Sequence, residues 1–218
     1  MIIIPAINTS ETDIAVGFIN NLNDVILPHG YDLARVQIDI NDGTYEDIVT
    51  ITPETLSELD IKFKVDYHLM VKDPASWVRR CVKADRIIGQ IEYMPDQLSF
   101  IKEVKDWRLK AGFAIDFGTD LNQINYEALG QLDVVLLMTY PAGRGGKEFN
   151  SGVYDKIEEL IDIKTRERFT FKICLDGGIS EDNIKSVKLA GVDEVVMTKR
   201  ILEGDIEENL EKFYKAQY

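Results

Sequence analysis

Eight short runs rich in β-branched and apolar residues recur along the 218-residue chain, at 2–7, 34–40, 64–69, 86–91, 111–115, 134–138, 171–175 and 194–197. Each is long enough for a strand and too short for an ordinary helix. Between them lie segments whose apolar residues fall at helical spacing, at 75–82, 97–107, 154–163, 183–190 and 206–216. The start signals agree: Thr52-Pro53-Glu54, Asp73-Pro74 and Ser180-Glu181-Asp182 each set a cap residue or proline ahead of a helical segment. Strand then helix, repeated, calls for a parallel sheet, because parallel neighbours need a long crossover. Eight such units fit a (β/α)8 TIM barrel near the lower end of its size range. A doubly wound open sheet is the alternative.

No Ser/Gly/Pro-rich linker or compositional break interrupts the pattern, so residues 1–218 are expected to form one barrel domain. Helix boundaries are poorly marked at 20–31 and 118–125, where Asn, Asp, Pro and Gly mix with apolar residues. With 38 acidic against 25 basic side chains, the net charge of -13 disfavours nucleic acid and anionic membrane partners. A small anionic ligand is still compatible with a local cluster of N–H groups and cations. Only Cys81 and Cys174 are present, which excludes a disulfide framework and suits a reducing compartment. The start, Met-Ile-Ile-Ile, lacks the basic segment and length of a signal peptide, and no run reaches a membrane span. Cytoplasmic residence is the expectation.

In a barrel of this kind chemistry sits at the C-terminal ends of strands. Alternation puts Gln37, Asp39 and Asn41 on one face of the second strand, where carboxylates must be hydrogen-bonded, paired or metal-bound. Asp42-Gly43 reads as a turn. His68 ends the third strand and, with Asp39 and Asp176, makes a His/carboxylate set suited to a divalent ion such as zinc, manganese or iron. His29, in a Pro-His-Gly turn, reads as exposed and uninvolved. Two glycine-rich segments, Gly143-Arg144-Gly145-Gly146 and Asp176-Gly177-Gly178, follow the sixth and seventh strands. With Thr198-Lys199-Arg200 after the eighth, they point to an anion site.

These segments, in order, resemble the ribulose-phosphate 3-epimerase family. Ile4-Pro5-Ala6-Ile7 is similar to its Pro-Ser-Ile strand, and 37–43 to its His-x-Asp-Val-Met-Asp-Gly. Residues 66–71 are similar to Asp-Val-His-Leu-Met-Val, 138–146 to Met-x-x-x-Pro-Gly-Phe-Gly-Gly with some shift, and 175–179 to Val-Asp-Gly-Gly-Ile. The resemblance implies one divalent ion (Zn, Fe, Mn or Co) on Asp39, His68 and Asp176, with both aspartates as acid/base groups. It also implies that Met70 and Met138 line the reacting centre, that Gly145, Gly146, Gly177 and Gly178 hold phosphate with Thr198 and Lys199 beside them, and that the chain forms a homo-oligomer. The implied reaction is epimerisation of a ketose phosphate, D-ribulose 5-phosphate to D-xylulose 5-phosphate, through an enediolate.

Departures from the family pattern fall at five places. Gln37 replaces a metal-binding His and offers at most an amide oxygen; Ala6 replaces a Ser, Asn41 a Met, Thr198-Lys199 a Gly-Ser pair, and Arg144 an aromatic. The alternatives they raise are a related sugar-phosphate isomerase or lyase with another substrate, and a non-catalytic sugar-phosphate binder. The decarboxylase branch's Asp-x-Lys-x-x-Asp is absent from the matching strand.

Overall fold

A computed structural model describes residues 1–25, 33–143 and 145–218. His29 and Arg144 therefore lie outside the described residues, as does half of the poorly marked stretch at 20–31. Eight strands form β1 (Ile2–Ile7), β2 (Arg35–Asn41), β3 (Lys64–Met70), β4 (Ala84–Gln90), β5 (Lys110–Ile115), β6 (Val134–Met138), β7 (Lys172–Asp176) and β8 (Glu194–Met197). They pair in parallel in chain order and close as a barrel, with β8 against β1 from Ile2↔Glu194 to Pro5↔Met197. Closure removes the open-sheet alternative.

The α-helices are α1 (Thr12–Asn23), α2 (Gln97–Asp106), α3 (Tyr126–Leu129), α4 (Val153–Glu167), α5 (Ile184–Leu189), α6 (Lys199–Leu202) and α7 (Ile206–Ala216). The expected helix at 75–82 is a 3-10 stretch, Pro74–Arg80, entered through Asp73 at φ 53. The left-handed turn and the short span between β3 and β4 leave room only for tight i→i+3 bonds, such as Cys81 N to Val78 O at 3.1 Å. Ser180 does not cap α5. Instead Asn183 Oδ1 accepts from Ser180 N at 2.8 Å and its Nδ2 donates to Gly178 O at 3.0 Å, which locks the turn after β7.

Strand alternation separates two apolar regions. One packs strand exteriors such as Ile38, Tyr67, Phe113 and Leu175 against the helices. The other fills the lumen with Ile4, Ala6, Met70, Ile88, Ala114, Leu136, Met138, Cys174 and Val196. Gly112 is required there, since a Cβ would lie 2.4 Å from Val134 Cγ1. Cys81 and Cys174 are both free and buried. Among the described residues no helix is long and apolar enough to cross a membrane.

Candidate active site

The register of the first three strands assembles one side of the mouth. Asp39 on β2 is level with His68 on β3, and Asn41 with Met70. Asp176, the last residue of β7, reaches the same point from a strand not adjacent to them. One donor atom from each of Asp39, His68 and Asp176 falls within 4.8 Å of the others. His68 Nδ1 is 3.6 Å from Asp39 Oδ1 and 3.6 Å from Asp176 Oδ2. Gln37 Nε2 donates to those same two oxygens, at 2.8 Å each, and Asn8 Nδ2 donates to Asp39 Oδ2 at 3.1 Å.

Burial would lower the pKa of His68, but its hydrogen bonds to Asp176 and Asp39 and their charges overcome it and push the imidazole up to about 10. Asp176 is raised above the usual carboxylate range by burial, with Asp39's charge adding to it and His68 opposing it. Behind the ring, His68 Nε2 is 3.2 Å from Gln90 Oε1, so Nε2 carries hydrogen and Nδ1 faces the carboxylates. Gln90 Nε2 donates to Glu92 Oε2 at 3.0 Å, and Glu92 also accepts from Tyr45 Oη at 3.3 Å and from the Asp116 N–H at 2.8 Å. Asp116 Oδ2 in turn accepts from Ala142 N at 3.1 Å, tying the histidine to the loop after β6.

Two carboxylates and an imidazole are a donor set that suits a zinc, manganese, iron or cobalt ion. A second observation fits: Gln37, whose Nε2 meets both carboxylates, keeps its Oε1 buried without a hydrogen-bond partner.

Beside the trio opens a cavity of about 740 Å³ lined by Gly145, Gly146, Gly177, Gly178, Thr198, Lys199 and Arg200, among others. Gly177 (φ 107) and Gly178 (φ 61) adopt backbone that side chains avoid. A Cβ on Gly177 would lie 2.4 Å from Tyr140 Cε1, and one on Gly178 2.5 Å from Phe149 N. The smaller recess at the trio adds Met70, Met138 and Gly143, and shares Asn8, Tyr140, Gly145, Asp176 and Thr198 with the large cavity. Every site residue anticipated from the sequence thus lines one of these two spaces, except Gln37, which lies beneath them.

Asn8, Gln90 and Tyr140 were not anticipated. Alternation would have found all three: Asn8 continues Ile4 and Ala6, Gln90 continues Arg86 and Ile88, and Tyr140 continues Leu136 and Met138 along inward faces. Tyr140 lines both spaces, and burial, followed by the charges of Asp176 and Asp39, raises its phenol pKa. Asn41 acts as a loop clamp, accepting from Gly43 N at 3.1 Å and donating to Tyr45 O at 3.3 Å.

A model of the ribulose-phosphate 3 epimerase family matches residues 14–202. The chain belongs to this family. Its relatives include the ribulose-phosphate 3-epimerase of Serratia marcescens, 32% identical over 181 residues that cover 78% of this chain and 82% of that one. Another is the Aquifex aeolicus ribulose-phosphate 3-epimerase, 32% identical over 179 residues, 80% of each chain. Among solved structures, a KGPDC from Streptococcus mutans in complex with D-R5P superposes with a TM-score of 0.68 at 14% identity, covering 99% of this chain and 96% of that one. A 3-keto-L-gulonate-6-phosphate decarboxylase from Vibrio cholerae gives 0.67 at 11%, covering 100% and 96%. At such identities the structural likeness concerns the barrel alone. Gln37 and Ala6, two of the departures read from the sequence, are register neighbours on β2 and β1 and so meet at one point.

Proposed function

We propose that the protein epimerises a ketose phosphate at carbon 3, interconverting D-ribulose 5-phosphate and D-xylulose 5-phosphate. The observation that carries this reading is the convergence of Asp39 and Asp176, from non-adjacent strands, on one imidazole beside a glycine-lined cavity. Backbone N–H groups at Gly177 and Gly178, with Gly145, Gly146, Thr198 and Lys199, would receive the phosphate. Met70 and Met138 would flank the reacting carbon and keep water from it.

One aspartate takes the carbon-3 proton and the other returns a proton from the far side, which inverts the centre. Burial of Asp176 suits it to hold a proton for part of the cycle. Asn8 and Gln37 orient the Asp39 carboxylate through Oδ2 and Oδ1. Asp39, His68 and Asp176 would hold the divalent ion, which when bound supplies the positive charge that an enediolate requires.

The test is to incubate the protein with ribulose 5-phosphate in D2O, supplying zinc, iron, manganese and cobalt in turn. Deuterium should enter at carbon 3 as xylulose 5-phosphate forms, and both should be lost in Asp39→Asn and Asp176→Asn. Absence of exchange with every ion would sink this reading. Lys199 and Arg200, two exposed cations on the cavity wall, favour a second one: a related sugar-phosphate isomerase or lyase acting on a different phosphorylated sugar. A panel of ketose and aldose phosphates separates the two, and binding without exchange across the panel would identify a non-catalytic binder.

A further inference from the structure

Gln37 is fully buried, and its two amide atoms meet opposite surroundings. Nε2 spends both hydrogens on carboxylates, donating to Asp39 Oδ1 and Asp176 Oδ2 at 2.8 Å each, and lies 3.5 Å from His68 Nδ1. Oε1 has no partner. Its register neighbours supply none: Ala6, level with Gln37 on β1, carries only a methyl, and Asp66, level with it on β3, is an acceptor committed to Arg35 and Arg86. An orphaned buried carbonyl costs about 1–3 kcal/mol, so this orientation holds because two charge-assisted bonds outweigh it.

The amide group therefore stands among the same three donors that would surround a cation, with its positive end toward them. Rotation by half a turn about the terminal torsion exchanges Oε1 and Nε2 without moving the rest of the side chain. In that orientation Oε1 would face two carboxylates, which is repulsive unless a cation lies between them.

We propose that Gln37 is an internal stand-in for the cation: its Nε2 clamps Asp39 and Asp176 together when no ion is bound, and the amide turns over to present Oε1 as a fourth ligand when one binds. Ion entry must then break two charge-assisted hydrogen bonds. The centre accordingly holds its ion more loosely than the same trio would without the competing donor, and keeps its carboxylates gathered in the ion-free form. The inference rests on the reading of Asp39, His68 and Asp176 as a cation site, and not on any turnover.

The experiment is NMR of 15N-labelled protein titrated with Zn2+ after chelator treatment. The Gln37 side-chain amide is assigned by its disappearance in Gln37→Met. Both its protons should resonate well downfield in chelator, as donors to carboxylates, and lose that shift as Zn2+ saturates. Gln37→Glu removes the donor and adds an anionic oxygen, so it should bind Zn2+ at least tenfold more tightly than the wild type in a chelator competition. Amide protons that are unshifted in chelator or unmoved by Zn2+, a Gln37→Glu variant that binds Zn2+ no more tightly, or a wild type that binds none would each overturn the proposal. Should Gln37→Glu not fold in chelator, the wild-type amide resonances decide alone. Normal Zn2+ behaviour without carbon-3 exchange would sink the epimerase reading and leave this one standing; normal exchange with unmoved amide protons would do the reverse.

Discussion

At the floor of the barrel Arg86 Nη2 donates to Asp66 Oδ2 at 2.5 Å and to Glu194 Oε2 at 2.7 Å, Lys172 Nζ donates to Glu194 Oε1 at 2.8 Å, and Arg35 donates to Asp66. At the mouth two carboxylates share one imidazole and one amide. Both clusters face the same lumen, Lys172 from its exposed end, yet their charge balance differs. The floor sets three permanent cations against two carboxylates and leaves Arg86 Nε without a partner; Arg86 and then Lys172 hold Glu194 below its ordinary range against burial, while at Asp66 burial outweighs Arg86 and Arg35 and raises it. The mouth offers only a titratable ring and a neutral amide. Buried charge that is matched internally is architecture, whereas buried charge left in excess is a demand for a ligand.

The comparison can be broken at either end. The largest effect should come from Asp176→Asn, which removes an acid/base group and is expected to slow carbon-3 exchange by about 10⁴-fold. Because it also relieves repulsion with Asp39, its unfolding midpoint in chelator should stay level or rise; a large drop in denaturant titration would mean that the mouth is structural after all. Arg86→Met should behave in the opposite way, costing about 3 kcal/mol of stability by leaving Asp66 with Arg35 alone and Glu194 with Lys172 alone. The folded fraction should exchange substrate hydrogen within a few-fold of the wild type, and a selective loss of turnover would couple floor to mouth. Tyr140→Phe removes the hydroxyl of a side chain that lines both spaces. The expected result is a three- to tenfold rise in KM for the phosphate ester, or about 1 kcal/mol, with kcat little changed.

The smallest effect calibrates the others with an ion pair outside the lumen. Arg80 Nε and Nη2 bond Glu54 Oε1 and Oε2 at 2.7 and 3.2 Å, and these hydrogen bonds from Arg80 hold Glu54 at about 2, below its ordinary 4.5. A depressed carboxylate pKa stabilises the fold above the unfolded value and loses that contribution as pH falls through the folded one. Glu54→Gln should thus cost about 0.5 kcal/mol or less at pH 7, since the pair is largely exposed, and the gap should close between pH 4.5 and 2 in thermal melts.

Much of the barrel was legible because alternation and run length are local properties. The runs at 2–7, 134–138 and 194–197 match β1, β6 and β8 residue for residue, and 206–216 matches α7. Helix type was less legible: whether residues 74–80 wind as α or 3-10 depends on the length of chain left between two strands of a closed sheet. In the site, Asp39, His68 and Asp176 announced themselves as polar residues at strand ends. Gln90, two residues past an inward Ile88, is legible by the same alternation as an inward polar residue, but its role is not, because that comes from the His68 nitrogen behind which it sits.

The amino-acid sequence by itself determined that this chain would form parallel βα units with carboxylates, a histidine and glycine pairs at strand ends. It also carried the family likeness, since order and spacing survive without coordinates. Only the tertiary structure decided which buried charges are matched. Arg86 meets Glu194 across 108 positions and Gln37 meets Asp176 across 139, distances over which no local pattern carries information. Barrel closure brings those strands together, and in a low-dielectric lumen the few ångströms between donor and acceptor separate a charge-matched ion network from a centre that calls for a cation.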